Sequence, residues 1–193
     1  MCNEARRQVA LGDIRTDWGQ TRIPLVFPEG LPNLAATDSV RITDQTPIIR
    51  AAPDGAELAV RRWSWPGPSG KPVYNYRSER RDLRHGRCLI PVDGFYEFTD
   101  PADPAKKRKD KWLFTWPPHR WFCIAGLWRR DDAVGEAFTM LTTEPGPDIA
   151  PYHGRQVVLL GPEQWGSWLD DTIPSQRLIA PLPAGTLAVE QVG

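Results

Sequence analysis

The sequence predicts a single mixed α+β domain that is dominated by strands and carries short helices at its periphery. A length of 193 residues is enough for one domain with a substantial core, and we take 1–193 as that domain. The 20 prolines and 16 glycines imply many turns and short elements, which disfavours an all-helical bundle. Short apolar runs between these turns supply the candidate strands.

The first half of the chain is predicted to hold short strands joined by turns. Residues 1–20 are weakly patterned, and 21–37 contain three prolines, which is typical of extended chain. The segment from Glu79 to His85 is predicted as one or two helical turns that end at Gly86. Strands are predicted at 41–43, 46–50 and 58–63, with a turn at 51–55 and a loop at 66–70.

The second half has the clearer strand pattern. The apolar run 87–92 indicates a buried strand, and Asp93-Gly94 is a turn signal. In the strand that follows, alternation places Glu97 on the face opposite Tyr96 and Phe98. Further strands are predicted at 111–115, 122–128, 137–143 and 157–160, and a helix at 162–169.

Charge is balanced over the whole chain but not along it. The 24 basic and 24 acidic residues exclude a protein that binds nucleic acid through bulk positive charge. Residues 61–87, however, hold eight basic and two acidic side chains, a net charge of +6, interleaved with Trp63, Trp65 and two tyrosines. Arginines among aromatics suit a nucleic-acid strand, and they equally suit a solvated face over core tryptophans. A second basic run at 106–111 is predicted to be a solvated loop, with non-specific phosphate contact as the alternative.

Several classes of protein are disfavoured by what the chain contains. The cysteines Cys2, Cys88 and Cys123 are too few and too scattered for a disulfide framework. The spacing of cysteines and histidines fits no metal site, and we predict neither a metal nor a cofactor. Without a long apolar run or a signal core, the protein is expected to be cytoplasmic.

Cys2 is the first candidate for chemistry. If Met1 is removed, the chain begins with an α-amine and a thiol on one residue, and both are nucleophilic near neutral pH. Such a pair can condense with an aldehyde to an imine and then close to a thiazolidine. It can also act like an N-terminal nucleophile hydrolase, with the amine as base for the thiol. A cysteine at this position by chance is the third possibility.

Two further candidates are Glu97 and His153. A carboxylate within an apolar and aromatic stretch is expected to be desolvated, which raises its pKa and suits acid–base chemistry, unless the side chain faces solvent. His153 lies in a loop beside Arg155, as a residue lining a site would, or as an ordinary surface histidine. Asn75 and Arg77 add an amide and a candidate phosphate contact.

Together these motifs resemble the SOS response-associated peptidase (SRAP) family of abasic-site processing proteins. The blocks occur in the family's order over nearly the whole chain, and the C-L-I-P-x-D-G-F-Y-E block is highly specific. The motifs are Met1-Cys2, Asn75-Tyr76-Arg77-Ser78-Glu79, Arg87 to Glu97, Ile124 to Trp128, Phe138 to Glu144 and His153-Gly154-Arg155. The resemblance implies an α+β domain around a strongly curved, barrel-like β-structure with a basic groove.

The resemblance also implies a function and roles for individual residues. Cys2 would attack the ring-opened aldehyde of an abasic site in single-stranded DNA and form a thiazolidine that shields the lesion during the DNA damage response. Asn75 would hold Cys2 and the sugar, Glu97 would act as acid and base, and His153 would protonate or stabilise the sugar hydroxyl.

The implied partner is single-stranded DNA with abasic sites, as at replication forks, bound by a monomer that is nucleoid-associated when on DNA. Arg77 and Arg155 would bind the phosphates that flank the lesion. Further DNA contacts are expected from Trp63, Trp65, Arg80, Arg81, Phe98 and Thr143.

Three departures from the family pattern concern the same region. Asn3-Glu4 stands where Gly-Arg is common, so one basic contact near the nucleophile is absent. Phe98 stands where Trp is common, and Gly154-Arg155-Gln156-Val157 replaces D-R-M-P after His153. Two alternatives stay open: a cysteine peptidase or amidohydrolase that uses Cys2, and a non-covalent binder of modified or single-stranded DNA.

Overall fold

The structure, a computed structural model, describes residues 2–81, 83–103, 105–117 and 119–193 and confirms a strand-rich α+β fold. Two short α-helices, α1 (Leu11–Trp18) and α2 (Pro162–Leu169), accompany the strands. The strands are β1 (Glu4–Arg7), β2 (Leu25–Val26), β3 (Thr37–Arg41), β4 (Gln45–Ala52), β5 (Gly55–Trp63), β6 (Trp65–Pro66), β7 (Pro72–Val73), β8 (Asn75–Arg77), β9 (Arg87–Val92), β10 (Gly94–Thr99), β11 (Asp110–Thr115), β12 (Phe122–Asp131), β13 (Gly135–Thr143), β14 (Gln156–Val157), β15 (Leu159–Leu160) and β16 (Ala188–Gln191).

Five strands close into a ring, which confirms the barrel-like β-structure. β13, β12, β9, β4 and β5 pair in that order, and β5 returns to β13 through parallel pairing of Arg62 with Ala137 and of Trp63 with Phe138. All six residues of β9 are buried, as predicted for this apolar run. Closure pairs both edges of the sheet, so no long edge of these strands is left open.

A second sheet of five strands has the order β16-β11-β10-β1-β3 and places the start of the chain near its middle. β1 pairs with β10 on one side and with β3 on the other. The register sets Ala5 opposite Phe95 and Arg6 opposite Gly94, so going back from β1 toward Cys2 leads forward along β10 toward Glu97.

The chain passes from the closed ring to the second sheet at Asp93. This carboxylate accepts hydrogen bonds from Arg6 Nε at 2.5 Å, from the Val9 N–H at 2.8 Å and from the Gln8 N–H. A Cβ at the next residue, Gly94, would lie 2.8 Å from Leu113 Cδ1 and 3.1 Å from the Phe114 carbonyl oxygen, so a larger residue at this corner would require its neighbours to shift. The turn signal in the sequence is therefore a change of sheet.

Side chains of the ring strands point alternately into two apolar clusters. One lies against the second sheet and contains Cys2, Trp63, Phe95 and Phe138. The other is covered by α1 and α2, where Trp165 stacks with other indoles at ring distances of 5.5 and 4.4 Å. Alternation along each strand thus fills two cores at once.

One helix prediction fails, and one helix is not predicted at all. The helical turns predicted at 79–85 are absent from the described part of that segment, which leaves out Asp82, because Arg80 is left-handed with φ 55° and interrupts helical backbone. α1 lies in a region that is weakly patterned by sequence, yet it buries Leu11, Ile14 and Trp18 on one face. The predicted helix at 162–169 is confirmed as α2.

Neither α1 nor α2, each eight residues long, could cross a membrane, and the described residues contain no other helix that could.

The space around two glycines, one in the ring and one in α1, predicts opposite effects of alanine on the free energy of unfolding. At Gly126 in β12, a Cβ would lie 2.5 Å from Ile90 Cδ1 and 2.7 Å from the Thr139 carbonyl oxygen. Gly126→Ala is therefore expected to lower the free energy of unfolding by roughly 1–3 kcal/mol. At Gly12 in α1 nothing lies within 4 Å, so Gly12→Ala should raise it by about 0.5–1 kcal/mol. Urea unfolding of both variants would show these signs, and equal effects would contradict the packing described.

Candidate functional site

Cys2 is buried directly before β1. Its side chain is 1% exposed, belongs to the cluster between the two sheets and donates from Sγ to the Glu4 carbonyl oxygen at 3.4 Å. Burial raises the pKa of the Cys2 thiol, and the negative charge of Glu97 raises it further. The thiol is consequently neutral at physiological pH. The predicted removal of Met1 concerns a residue outside the described part of the chain.

Asn75 links the closed ring to Cys2. It lies on β8, beside Met140 of β13, and its Nδ2 donates to the Cys2 carbonyl oxygen at 2.7 Å. Its Oδ1 is buried and has no hydrogen-bond partner among the residues described. One end of this amide therefore positions Cys2, while the other is available to a donor such as a sugar hydroxyl.

Glu97 is buried, which decides between the two orientations left open by the sequence. It lies on β10 opposite Trp112 of β11 and is 1% exposed. Loss of solvent raises the pKa of Glu97 to about 7, although the backbone N–H of Cys2 favours the ionised form. A carboxyl group with this pKa can both donate and accept a proton near neutral pH.

His153 lies in a loop and lines a cavity that Glu97 also lines. A cavity of about 360 Å³ is lined by Asn3, Glu97, Phe98, Lys109 and His153. The imidazole Nδ1 accepts from the Arg155 N–H at 2.9 Å and lies 3.0 Å from the Arg155 carbonyl oxygen. Partial burial lowers the pKa of His153, and the charges of Arg155 and Lys109 lower it further. The imidazole is therefore favoured in its neutral form, which can both accept and donate a proton.

The structure therefore brings together the four residues predicted to do chemistry. Cys2 precedes β1, Asn75 comes from β8, Glu97 from β10 and His153 from the loop after β13. Cys2 and Asn75 share a hydrogen bond, the charge of Glu97 acts on the Cys2 thiol, and Glu97 and His153 line one cavity. An amide, a carboxyl group and an imidazole thus surround the start of the chain.

Arg155 is engaged within the protein in this structure, and its predicted role as a phosphate contact stays a prediction. Its guanidinium donates to both oxygens of Glu79 at 2.5 and 2.9 Å and to the Thr142 carbonyl oxygen at 2.8 Å. A bidentate pair of this kind fixes the side chain. Arg155 consequently shapes the loop that carries His153 and is not available to DNA in this conformation.

The tryptophans predicted to stack on bases are interior. Trp63 has no exposed surface, donates from Nε1 to the Tyr74 carbonyl oxygen at 2.8 Å and stacks on Phe138, so base stacking by Trp63 is wrong for this structure. Trp65 is 6% exposed, and the Arg129 guanidinium lies over its ring at 4.3 Å. Aromatic surface for a base is instead offered by Phe98, which is half-buried beside Glu97.

The basic segment 61–87 divides between the interior and the surface. Arg61 binds Glu29 and Glu136, and Arg87 is buried against backbone carbonyls of Leu83 and of the α2 end. Thr143, another predicted contact, is 7% exposed at the end of β13. The predicted DNA contacts that remain exposed are Arg77, Arg80 and Arg81.

Two lining residues were missed by the sequence analysis. Lys109 was assigned to a solvated loop, and Asn3 was noted only as a departure from the family pattern, yet both line the cavity with Glu97 and His153. The position of Lys109 immediately before β11, which pairs with the strand carrying Glu97, is the signal that could have found it. No group of three or more side chains suited to a metal ion occurs within the described ranges.

The chain is similar to known proteins along its whole length. The chain matches the family model described as SOS response associated peptidase (SRAP) over residues 1–193. The abasic site processing protein YoqW of Bacillus subtilis (strain 168) is 30% identical over 67% of this chain, which covers only 64% of that relative's length. The abasic site processing protein YoaM of the same organism is 26% identical over 100% of this chain and 91% of its own length.

Two crystal structures share the fold. A protein from Bordetella bronchiseptica has a TM-score of 0.76 and 23% identity, with 100% of both chains covered. A protein from Bacteroides thetaiotaomicron has a TM-score of 0.78 and 18% identity, with 100% of this chain and 92% of that chain covered. At these identities the likeness concerns the fold alone.

Proposed function

Because this chain belongs to the SOS response-associated peptidase family, we propose that it captures abasic sites in single-stranded DNA by a covalent cross-link through Cys2. The names of the relatives YoqW and YoaM, abasic site processing proteins, support this substrate. The proposal requires removal of Met1, because a peptide bond on the Cys2 nitrogen would prevent it from forming an imine.

The observation that carries the proposal is the hydrogen bond from Asn75 to the Cys2 carbonyl oxygen at 2.7 Å. It anchors the start of the chain beside a buried carboxyl group and an open cavity. A terminal residue that only frayed in solvent would need no such anchor. Positioning of this kind supplies the orientation that a reaction between two groups needs.

The reaction begins with ring opening of the abasic sugar. A hemiacetal opens when one oxygen loses a proton and the ring oxygen gains one, which the Glu97 carboxyl group and the His153 imidazole can share. The Cys2 amine then adds to the aldehyde carbon, and loss of water leaves an iminium ion. The Glu97 carboxylate favours this cation electrostatically.

Ring closure completes the cross-link. The neutral Cys2 thiol adds its sulfur to the iminium carbon and gives its proton to the Glu97 carboxylate, which forms a thiazolidine. The net balance is one aldehyde and one aminothiol combined with release of one water. Because the imine is consumed, β-elimination of the DNA strand is prevented.

Intact mass spectrometry tests the proposal directly. The native protein is measured alone and after incubation with a single-stranded oligonucleotide that carries one abasic site. We expect a protein without Met1 and a denaturation-resistant species at the summed mass less one water, with none formed by the undamaged oligonucleotide. Binding without any such species would favour a non-covalent DNA binder, a function consistent with the burial of the Cys2 thiol.

The different environments of two arginines predict different effects on DNA binding. Arg77→Gln removes an exposed cation and is expected to reduce the slope of log K against log salt by about 0.7 for a single strand. Arg155→Gln should leave that slope unchanged, because Glu79 already binds the guanidinium, but should lower stability by on the order of 1 kcal/mol. DNA binding measured over a range of salt concentrations gives the slope for both variants, and urea unfolding gives their free energies of unfolding. A reduced slope for Arg155→Gln would contradict the internal role.

A further inference from the structure

Two adjoining cavities form a groove across the start of the chain. The cavity of about 360 Å³ that contains Glu97 and His153 shares two lining residues, Asn3 and Phe98, with a neighbouring cavity of about 300 Å³. We call the two together the Phe98 groove. Lys109 lines the first cavity and Arg41 lines the second, so each of the two cavities beside Phe98 has one basic side chain.

Both cations are accessible. The Lys109 side chain is 61% exposed, and its ion pair at 3.3 Å is with Asp100, which is 89% exposed. The Arg41 side chain is 71% exposed, and its Nε donates to Ser39 Oγ at 3.0 Å. Exposed ion pairs of this kind are weak, so either cation can exchange its partner for a phosphate at little cost.

One of the two acidic residues that line the groove, Glu4, is already neutralised by another lysine. The Glu4 carboxylate is buried and accepts from Lys111 Nζ at 2.8 Å, while Arg41 Nε lies 3.9 Å away. Lys111 therefore offsets Glu4, which leaves Arg41 free to act on a ligand. On the other side, Lys109 lines the same cavity as Glu97 and brings a positive charge to it.

From this arrangement we propose that Lys109 and Arg41 bind the phosphates on the two sides of the abasic nucleotide, with Phe98 between them under the strand. This rests on the proposed function for the identity of the ligand. A single strand needs cations along its backbone and an aromatic surface for a base, and the groove offers both.

The experiment uses a ligand that cannot form the cross-link. A single-stranded oligonucleotide with one tetrahydrofuran residue mimics an abasic site without an aldehyde, and its binding is followed by fluorescence anisotropy over a range of salt concentrations. The variants are Lys109→Gln and Arg41→Gln. Lys107→Gln, in the same loop, and Arg130→Gln, on β12, are matched exposed controls that line neither cavity.

We expect each of the two test variants to bind about 3- to 10-fold more weakly, with a salt slope smaller by about 0.7, and the controls to match wild type. Neutral methylphosphonate linkages then locate each contact. Lys109→Gln should become insensitive to neutralisation of the phosphate on one side of the lesion, and Arg41→Gln to that on the other.

Wild-type affinity and slope in either variant, loss of sensitivity to the same phosphate in both, or no binding of the probe by wild type would each overturn the proposal. A failure of the proposed function looks different, because it is an absence of adduct with aldehyde-bearing DNA while the tetrahydrofuran probe still binds through both cations.

Discussion

Replacing Cys2 with serine is expected to abolish the denaturation-resistant adduct with abasic DNA. Serine keeps the α-amine and the anchor to Asn75, but its hydroxyl is a far weaker nucleophile toward an iminium ion than a thiol. The imine should therefore still form and then hydrolyse or lead to strand cleavage. We expect at least ~100-fold less stable adduct by denaturing gel and intact mass.

Borohydride and a second cysteine variant make this result specific. Reduction should trap the imine of Cys2→Ser as a stable amine, which shows that binding and the amine are intact. Cys123→Ala serves as the control, because Cys123 is fully buried on the far side of β12 and should leave the adduct unchanged. Equal stable adducts from wild type and Cys2→Ser without borohydride would refute the thiazolidine.

Replacing Glu97 with glutamine is expected to slow cross-linking strongly while it stabilises the protein at alkaline pH. Loss of the group that moves protons should lower the rate by about 10²–10⁴-fold. Glutamine also removes the cost of ionising a buried carboxyl group. Since the pKa of Glu97 is about 7 against an ordinary value of 4.5, that cost is about 3 kcal/mol once the folded carboxyl is ionised.

The pH dependence follows from the direction of the shift. The folded protein holds the Glu97 proton more tightly than the unfolded chain, so this contribution to stability is fully present below pH 4.5 and is lost as the pH rises through about 7. Wild type should therefore lose stability between pH 5 and pH 8 relative to Glu97→Gln.

Urea unfolding at the two pH values measures the difference. Glu190→Gln, at an exposed carboxylate on β16, is the control and should behave like wild type. If Glu97→Gln showed the same decline as wild type, the buried carboxyl group would not be the source. A normal cross-linking rate in this variant would remove Glu97 from the proposed chemistry.

Strand positions were largely predictable from the sequence. The apolar run of β9 and the alternation around Glu97 in β10 are local patterns, and the structure places strands at both. α1 was missed because its apolar face has only three residues within eight, too few to show a period. At 79–85 the error is the opposite one, because a helix was predicted where none forms. The composition of this segment is compatible with a helix, but it does not reveal that the backbone of Arg80 is in the left-handed region.

The chemistry of the site was predictable as a set of residues, but its accessibility was not. The sequence motifs alone indicate Cys2, Asn75, Glu97 and His153 as the residues that carry chemistry. The sequence left open whether Glu97 faces solvent, and it assigned Arg155 to phosphate. Both questions depend on residues distant in the sequence, Trp112 of β11 for Glu97 and Glu79, in the turn after β8, for Arg155.

The sequence by itself determined the strand-rich class, the order of the β9–β10 elements and the functional groups on offer. These are local properties, since side-chain alternation and residue identity need no distant partner. Only the tertiary structure decided that Trp63 is core, that Arg155 is bound by Glu79 and that Lys109 lines one cavity with Glu97. Those outcomes depend on which distant segments meet when the ring closes, and whether a charge is available is settled by its neighbours in space.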